Sequence, residues 1–213
     1  MKITSCMVGA FEENTYLVVD EVAGRAVLVD PGAEPDRLIA LVGASGATLD
    51  AIWLTHAHLD HIGGIAGVKR AFDVPIHMHP ADLPVYERAP QAAAIYGLPF
   101  ELGPRPDASL AEGDTLTVGS ITFDVLHMPG HAPGHVIFVG GGAMLGGDLL
   151  FAGSIGRVDL PLSNPEHMDA SLARLRDLDA ALVVYPGHGP QTSLRHELAN
   201  NVFLNGAVQI VRS

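Results

Sequence analysis

Four side chains able to bind metal stand together in the stretch 55–61, which reads T-H-A-H-L-D-H. They are His56, His58, Asp60 and His61, and they follow directly on the apolar run 51–54. Imidazole and carboxylate groups fill a core poorly, because burying them without partners costs free energy. They are good ligands for divalent metals, and imidazole suits zinc especially. This density predicts a metal site rather than a solvated loop rich in histidine.

Three further residues of the same type each follow a short apolar run and stand next to glycine. They are His131 after the run 123–126, Asp148 after 143–145, and His188 after 182–185. Glycine lets the backbone turn tightly and approach a ligand closely, and loops at strand ends are where sites are usually built. The repeated pattern predicts that these residues join one site. We interpret His135, four residues after His131, as a support for a ligand rather than as a ligand.

The set of candidate ligands resembles the metal signature of the metallo-β-lactamase-fold hydrolases. This set consists of H56-x-H58-x-D60-H61, His131, Asp148 and His188. The turn D30-P31-G32 matches that family too, and the resemblance covers almost the whole chain. The segments 130–135, 156–159 and 186–190 resemble most the small glyoxalase II-like branch. The resemblance implies a four-layer αβ/βα sandwich with the site at one edge of paired sheets. The pattern of elements alone predicts only an α/β fold.

The resemblance also implies two divalent metal ions, with zinc expected and iron or manganese as alternatives. One ion would take His56, His58 and His131, the other Asp60, His61 and His188, with Asp148 bridging them. Two ions about 3.5–4 Å apart can share a water and lower its pKa, which supplies a bridging hydroxide as nucleophile. Asp60 and Asp148 are the candidate catalytic residues. Because this chemistry suits thioesters, lactones, β-lactams and phosphodiesters alike, the ligands predict a mechanism but not a substrate.

Composition narrows the classes of partner. The 213 residues predict a single domain over 1–213, and the net charge of −12 argues against nucleic acid, whose phosphates need Lys and Arg. The single cysteine, Cys6, fits a reducing compartment, and we expect no signal peptide or membrane span, hence a cytoplasmic protein. The expected partner is a small molecule, and a homo-oligomer is left open.

Periodicity and turn residues predict the following elements. Strands are expected at 3–8, 14–19, 25–29, 51–54, 75–78 and 181–185, and helices at 34–42, 62–72, 165–178 and 194–200. Residues 80–107 are rich in proline and predict an insertion over the metal site, with a short helical piece at 92–94. Tyr86 and Tyr96 within it, together with Arg157, are candidate substrate contacts. For Arg157, an ion pair with Asp159 and a role in steering an anion stay equally open.

The expected function is hydrolysis of a thioester, as in hydroxyacylglutathione hydrolase. Full-length enzymes of that type carry a helical C-terminal domain with basic residues for glutathione. Here the segment 189–213 holds only Arg195 and Arg212 as cations, so another thiol carrier or a pocket in the insertion is expected. The alternatives are a persulfide dioxygenase with one iron on His56, His131 and Asp148, and a lactonase. A binding module without activity is disfavoured, because it needs no open coordination position.

Overall fold

The computed structural model of the chain describes residues 1–208 and 210. Its first half forms a six-stranded sheet, in which the strands lie side by side in chain order. These strands are β1 (Lys2–Val8), β2 (Glu13–Asp20), β3 (Arg25–Val29), β4 (Thr48–Trp53), β5 (Ile76–Met78) and β6 (Ala108–Ser109). Strands β1 to β3 are antiparallel, whereas β3 to β6 run parallel. The expected strand positions in this half are confirmed to within a few residues.

The second half contributes the strands β7 (Thr115–Val118), β8 (Ile121–His127), β9 (Val136–Gly140), β10 (Ala143–Gly147), β11 (Leu150–Phe151), β12 (Ser154–Ile155), β13 (Val183–Pro186) and β14 (Thr192–Ser193). Six of them form a second sheet in the order β14-β13-β10-β9-β8-β7, while β11 and β12 pair with each other. Strands β10 and β13 are parallel neighbours. This pairing has a consequence for the site, because the carboxyl ends of parallel strands meet at one edge of the sheet.

Helices cover the outer faces of the two sheets. They are α1 (Pro35–Ser45), α2 (Leu59–Ile62), α3 (Ile65–Ala71), α4 (Leu83–Ile95), α5 (Pro165–Arg174) and α6 (Leu194–Asn200), with 3₁₀ turns at Pro80–Asp82 and Leu175–Asp177. Apolar side chains of α1, α3 and α4 pack on the first sheet, and those of α5 and α6 pack on the second. No described helix is both long and apolar enough to cross a membrane.

A third apolar cluster lies between the two sheets. Trp53 of β4 packs against Phe123 and Phe138 of β8 and β9, with ring centroids 5.6 and 5.2 Å apart. All three side chains are buried, as expected for aromatic residues that contribute most to core packing. The order helix, sheet, sheet, helix confirms the four-layer sandwich.

Two of the helix predictions are right in type but wrong in their bounds. The helix expected at 62–72 is broken at Gly63 and Gly64, where a Cβ would lie 2.6 Å from the Gly32 carbonyl oxygen and 2.9 Å from that of Pro31. In the insertion, the short piece expected at 92–94 is the end of the 13-residue helix α4. This helix continues past Pro90 because tertiary packing overrides local propensity, with Ala89 and Ala93 among the residues it buries.

Helices α5 and α6 form where the residue pattern and the capping residues predict them. The side chain of Asn164, the expected N-cap, accepts a hydrogen bond from the His167 backbone N–H at 2.9 Å, and Pro165 begins α5. The α-helix ends at Arg174 and the expected span is completed by the 3₁₀ turn 175–177. Helix α6 spans 194–200 as expected.

Candidate metal centre

The seven candidate ligands converge at one edge of the paired sheets. Residues 56–61 follow β4, His131 lies between β8 and β9, Asp148 follows β10 and His188 follows β13. Backbone hydrogen bonds join the neighbouring loops, since Gly187 donates from its N–H to the Gly147 carbonyl at 2.8 Å. The two sheets are joined here as well, because the Asn14 N–H of β2 donates to the Gly187 carbonyl at 2.8 Å. The scaffold thus fixes the segments on which the candidate ligands stand.

One group of three histidines lies on one side of this edge. The ligand atoms of His56, His58 and His131 all lie within 4.8 Å of one another. Nδ1 of His58 and Nε2 of His131 are 2.8 Å apart, and their rings are almost perpendicular, at 88°. Nδ1 of His131 lies 2.8 Å from the Arg157 carbonyl oxygen, which leaves Nε2 as the nitrogen that faces the group.

A second group of three lies beside the first. The ligand atoms of Asp60, His61 and His188 also fall within 4.8 Å of one another. The His188 Nε2 atom is 3.2 Å from Asp60 Oδ2, and the His61 Nε2 atom is 3.9 Å from the same oxygen. Asp60 and His61 both belong to the short helix α2, which brings them into one group.

Asp148 lies between the two groups. Its Oδ2 atom is 3.4 Å from Nε2 of His131 in the first group and 3.5 Å from Nε2 of His188 in the second. Its Oδ1 atom is 3.4 Å from Nε2 of His61. This one carboxylate therefore faces ligand atoms of both groups.

These residues fit a pair of metal ions. Nε2 of His56, Nε2 of His61 and Oδ1 of Asp148 are buried without a hydrogen-bond partner in the described part of the chain. Buried polar atoms normally have a partner, because leaving them unpaired costs about 1–3 kcal/mol each. Three unpaired atoms that point into one cluster of nitrogens and carboxylate oxygens are what a metal-binding donor set requires.

The electrostatics keep His56, His58 and Asp148 in the form that binds metal, whereas at His61 and His188 the nearby acids outweigh burial and raise the pKa of the imidazole. Burial lowers the pKa of His56 far below its ordinary value, and burial followed by the nearby His131 lowers the pKa of His58 to about 3. Both imidazoles are therefore neutral near neutral pH and retain a lone pair. Burial alone would raise the pKa of Asp148, but His61, His131 and His188 together outweigh burial and hold that pKa below its ordinary value.

A layer of polar groups behind the candidate ligands orients them. Asp30 accepts hydrogen bonds from the Thr55 N–H at 2.7 Å and hydroxyl at 2.6 Å, and its Oδ2 lies 3.1 Å from His61 Nδ1. His135 is fully buried, and its Nε2 accepts a hydrogen bond from the Asp148 N–H at 3.0 Å. His135 therefore holds the backbone of a candidate ligand, in agreement with the role expected for it.

Sequence reasoning missed two of the buried acids in this region. Asp82 accepts hydrogen bonds from the N–H groups of Ala57 and Gly134, one in each histidine-bearing loop. Burial raises its pKa to about 7, although these two N–H groups lower it. Glu13 is also buried, with Oε1 3.8 Å from His61 Nδ1. Neither acid stands in a metal-ligand spacing, so no sequence signal could have found them.

The candidate substrate contacts differ in position. Tyr86 is buried in the core, only 2% exposed, and its hydroxyl donates to the Pro104 carbonyl at 2.7 Å, so it is not a contact of the site. Tyr96 and Arg157 do line the cavity above the candidate metal centre. Arg157 forms a bidentate ion pair with Asp159, with N–O distances of 2.7 and 2.9 Å. An ion pair with Asp159 was one of the two roles expected for Arg157. Arg212 lies outside the described residues.

Comparison with known proteins agrees with this geometry. Residues 8–188 match the metallo-beta-lactamase superfamily. The chain belongs to this superfamily, which the fold and the arrangement of histidines had indicated. It is 35% identical over 210 residues to hydroxyacylglutathione hydrolase GloC of Haemophilus influenzae, a match that covers 96% of this chain and 99% of that protein. This relative agrees with the glyoxalase II-like branch.

Solved structures of similar proteins share this fold. The crystal structure of TTHA1623 in a di-iron-bound form is 46% identical, with a TM-score of 0.87, and the match covers 94% of this chain and 100% of that one. The structure of ETHE1 from Myxococcus xanthus is 27% identical, with a TM-score of 0.81, and the match covers 97% and 85% of the two chains. The fold and its metal-binding family are thereby shown.

Proposed function

We propose that this protein is a dinuclear metal-dependent hydrolase that cleaves a thioester. The observation that carries the proposal is the position of Asp148, whose carboxylate faces nitrogen ligands of both groups. A single metal ion would use one group and leave a buried nitrogen of the other, His56 Nε2 or His61 Nε2, without a partner. The likeness to hydroxyacylglutathione hydrolase GloC supports a thioester as the substrate.

The donor set divides between two ions. His56, His58 and His131 would hold one ion, Asp60, His61 and His188 the other, and Asp148 would contact both. When bound, two such ions lower the pKa of a shared water and polarise a carbonyl group. Zinc is the expected metal, and the di-iron form of TTHA1623 supports iron as the second choice.

The two carboxylates have a further task in the reaction. Burial would raise the pKa of Asp60, but His61 and His188 outweigh it and keep that pKa below its ordinary value. Asp60 and Asp148 are therefore ionised near neutral pH and can accept hydrogen bonds from a water molecule between them. This orients the water for attack on the thioester carbonyl. Gly156 and Gly187 leave room for Asp148, because a Cβ on either would lie within 2.2 Å of an Asp148 oxygen atom.

The test combines metal content with turnover. We expect about two metal equivalents per chain in protein purified without chelator, and hydrolysis of S-lactoylglutathione followed by loss of thioester absorbance. Asp148→Asn should lose bound metal and at least 100-fold in kcat (about 2.7 kcal/mol). His196→Ala, at an exposed histidine outside the cluster, is the matched control and should leave both unchanged. One metal equivalent that does not rise on supplementation would contradict the dinuclear site.

A second candidate is the persulfide dioxygenase, favoured by the likeness to ETHE1 from Myxococcus xanthus. It would need one iron on His56, His131 and Asp148. Oxygen uptake with glutathione persulfide in the iron form, without thioester cleavage by the zinc form, would establish it in place of the hydrolase. A lactonase would instead hydrolyse a lactone faster than any thioester under the same conditions.

A further inference from the structure

A large cavity opens directly above the metal centre. Its volume is about 930 Å³, and its floor is formed by candidate ligands, among them His58, Asp60 and Asp148. Pockets for small molecules usually measure about 300–1,000 Å³, so this one lies near the upper limit. A lactoyl group, with only three carbon atoms, would fill only a small part of this volume.

One wall of the cavity is a face of helix α4. Val85, Ala89, Ala92 and Ile95 line it at spacings of four, three and three residues, which places them on one side of the helix. Two alanines in the middle of this face widen the cavity where a larger side chain would fill it. The helix therefore offers a groove with an apolar surface beside the reacting centre.

The remaining walls are also largely apolar. Phe151, Ile155 and Leu160 belong to the segment that follows Asp148 in sequence and line the same cavity. At the mouth, Tyr96 and Phe11 meet edge to face with ring centroids 5.2 Å apart, although they are 53% and 37% exposed. Contiguous apolar surface that remains open to solvent commonly marks a ligand-binding groove.

The lining holds one cation without a partner. Outside the candidate ligands, the polar side chains of the cavity are Arg88, Gln91, Ser154 and Arg157. Arg157 is paired with Asp159, whereas Arg88 has no hydrogen bond or ion pair with any described residue. Arg88 stands on α4 between the residues of the apolar face and is exposed. In a chain of net charge −12, an unpaired arginine at a cavity is suited to bind an anionic group.

We propose that the substrate is a thioester with an apolar acyl chain of about six to eight carbons, joined to an anionic thiol carrier. The acyl chain lies along the Val85–Ile95 face of α4, and Arg88 binds a carboxylate or phosphate of the carrier. This inference rests on the proposed thioester hydrolysis. Water forms the new C–O bond, the C–S bond breaks, and the protons of water leave with the thiol and the carboxylic acid, so no redox partner is required.

The first experiment varies the acyl chain on one carrier. With the metal-loaded enzyme, kcat/KM for acetyl-, lactoyl-, hexanoyl- and octanoylglutathione should rise with length by up to about fourfold per buried methylene group. S-octylglutathione, a thioether that cannot be hydrolysed, should bind at least about tenfold more tightly than S-methylglutathione in a calorimetric titration, with or without metal. Hydrolysis of lactoylglutathione as fast as octanoylglutathione would overturn the inference and leave the proposed function intact. Failure to hydrolyse any of the four would overturn both.

One variant with a matched control locates the groove. Ala92→Leu places a larger side chain in the cavity and should lower the ratio of octanoyl to lactoyl turnover by about tenfold. Ala94→Leu, on the exposed side of the same helix, should leave that ratio unchanged. If both variants keep the wild-type ratio, the acyl chain does not lie on α4 and the proposal is wrong.

The role of Arg88 is tested by comparing a charged thiol carrier with an uncharged one. Arg88→Gln should raise KM for octanoylglutathione by about two- to fivefold, because the arginine is exposed and its ion pair is screened. It should leave KM unchanged for the octanoyl thioester of N-acetylcysteamine, which carries no charge. Arg105→Gln, at an exposed arginine outside the cavity lining, is the control. An equal effect of Arg88→Gln on both carriers would exclude its binding of an anion.

Discussion

The substitution Gly187→Ala tests how closely the loop after β13 must approach the metal centre. A Cβ at this position would lie 2.2 Å from Asp148 Oδ1 and 2.7 Å from His61 Cε1. An ordinary non-bonded contact is about 3.5 Å, so the carboxylate or the loop must move by about 1 Å. Both neighbours are buried and therefore cannot move away into solvent.

A shift of about 1 Å at the reacting centre can cost roughly a hundredfold in rate. We therefore expect Gly187→Ala to reduce kcat/KM for S-lactoylglutathione by about 100-fold and to weaken metal retention during dialysis against a chelator. Metal content is measured by elemental analysis, and the melting temperature of the metal-free protein shows whether the fold is retained.

The matched control is Gly146→Ala in strand β10. There the nearest atoms to a Cβ would be Met144 Cε at 3.4 Å and the Tyr185 carbonyl oxygen at 3.7 Å, which are ordinary contacts. This variant should keep wild-type metal content and turnover. Two tightly held metal equivalents and wild-type turnover in Gly187→Ala would refute the reasoning, because Asp148 would then tolerate displacement.

Three further predictions concern stability. Asp82 has a folded pKa of about 7 against about 3.9 when unfolded, so the folded state binds more protons between these pH values and stability falls as the pH rises through them, by up to about 4 kcal/mol. The buried histidines of the site contribute the opposite pH dependence, so the test compares wild-type protein with Asp82→Asn. In chemical denaturation of the two metal-free proteins, the free energy of unfolding of the wild type relative to the variant should fall between pH 4.5 and 7.5, and an equal pH dependence of the two would contradict the prediction. Asn164→Ala should lower the free energy of unfolding by about 1 kcal/mol, because α5 loses its N-cap. The same denaturation measures this change, and an unchanged free energy of unfolding would contradict the prediction. Gly43→Ala should raise the free energy of unfolding by about 0.5–1 kcal/mol, because Gly43 lies in α1 and no other part of the described chain comes within 4 Å of the new Cβ. A lower free energy of unfolding would contradict this prediction.

Local signals in the sequence were enough for much of the scaffold. Apolar runs bounded by glycine and proline gave the strands that carry Asp148 and His188, and the cap at Asn164 gave the start of α5. The candidate ligands were visible because imidazole and carboxylate groups at close spacing have few other uses. The meeting of Asp148 with His188 follows from the parallel pairing of β10 with β13, which the spacing of the residues did not require.

Other features depend on contacts between residues far apart in sequence, which no local pattern records. Asp82 lies 25 residues from Ala57 and 52 from Gly134, yet it accepts hydrogen bonds from both. Helix α4 contains Pro90 and lacks a clear signal, but packing on the first sheet stabilises it and lets it form a wall of the cavity. The sequence by itself determined which residues could bind metal. Only the tertiary structure decided how they are held and which surface faces the substrate, because long-range packing and hydrogen bonding fix both.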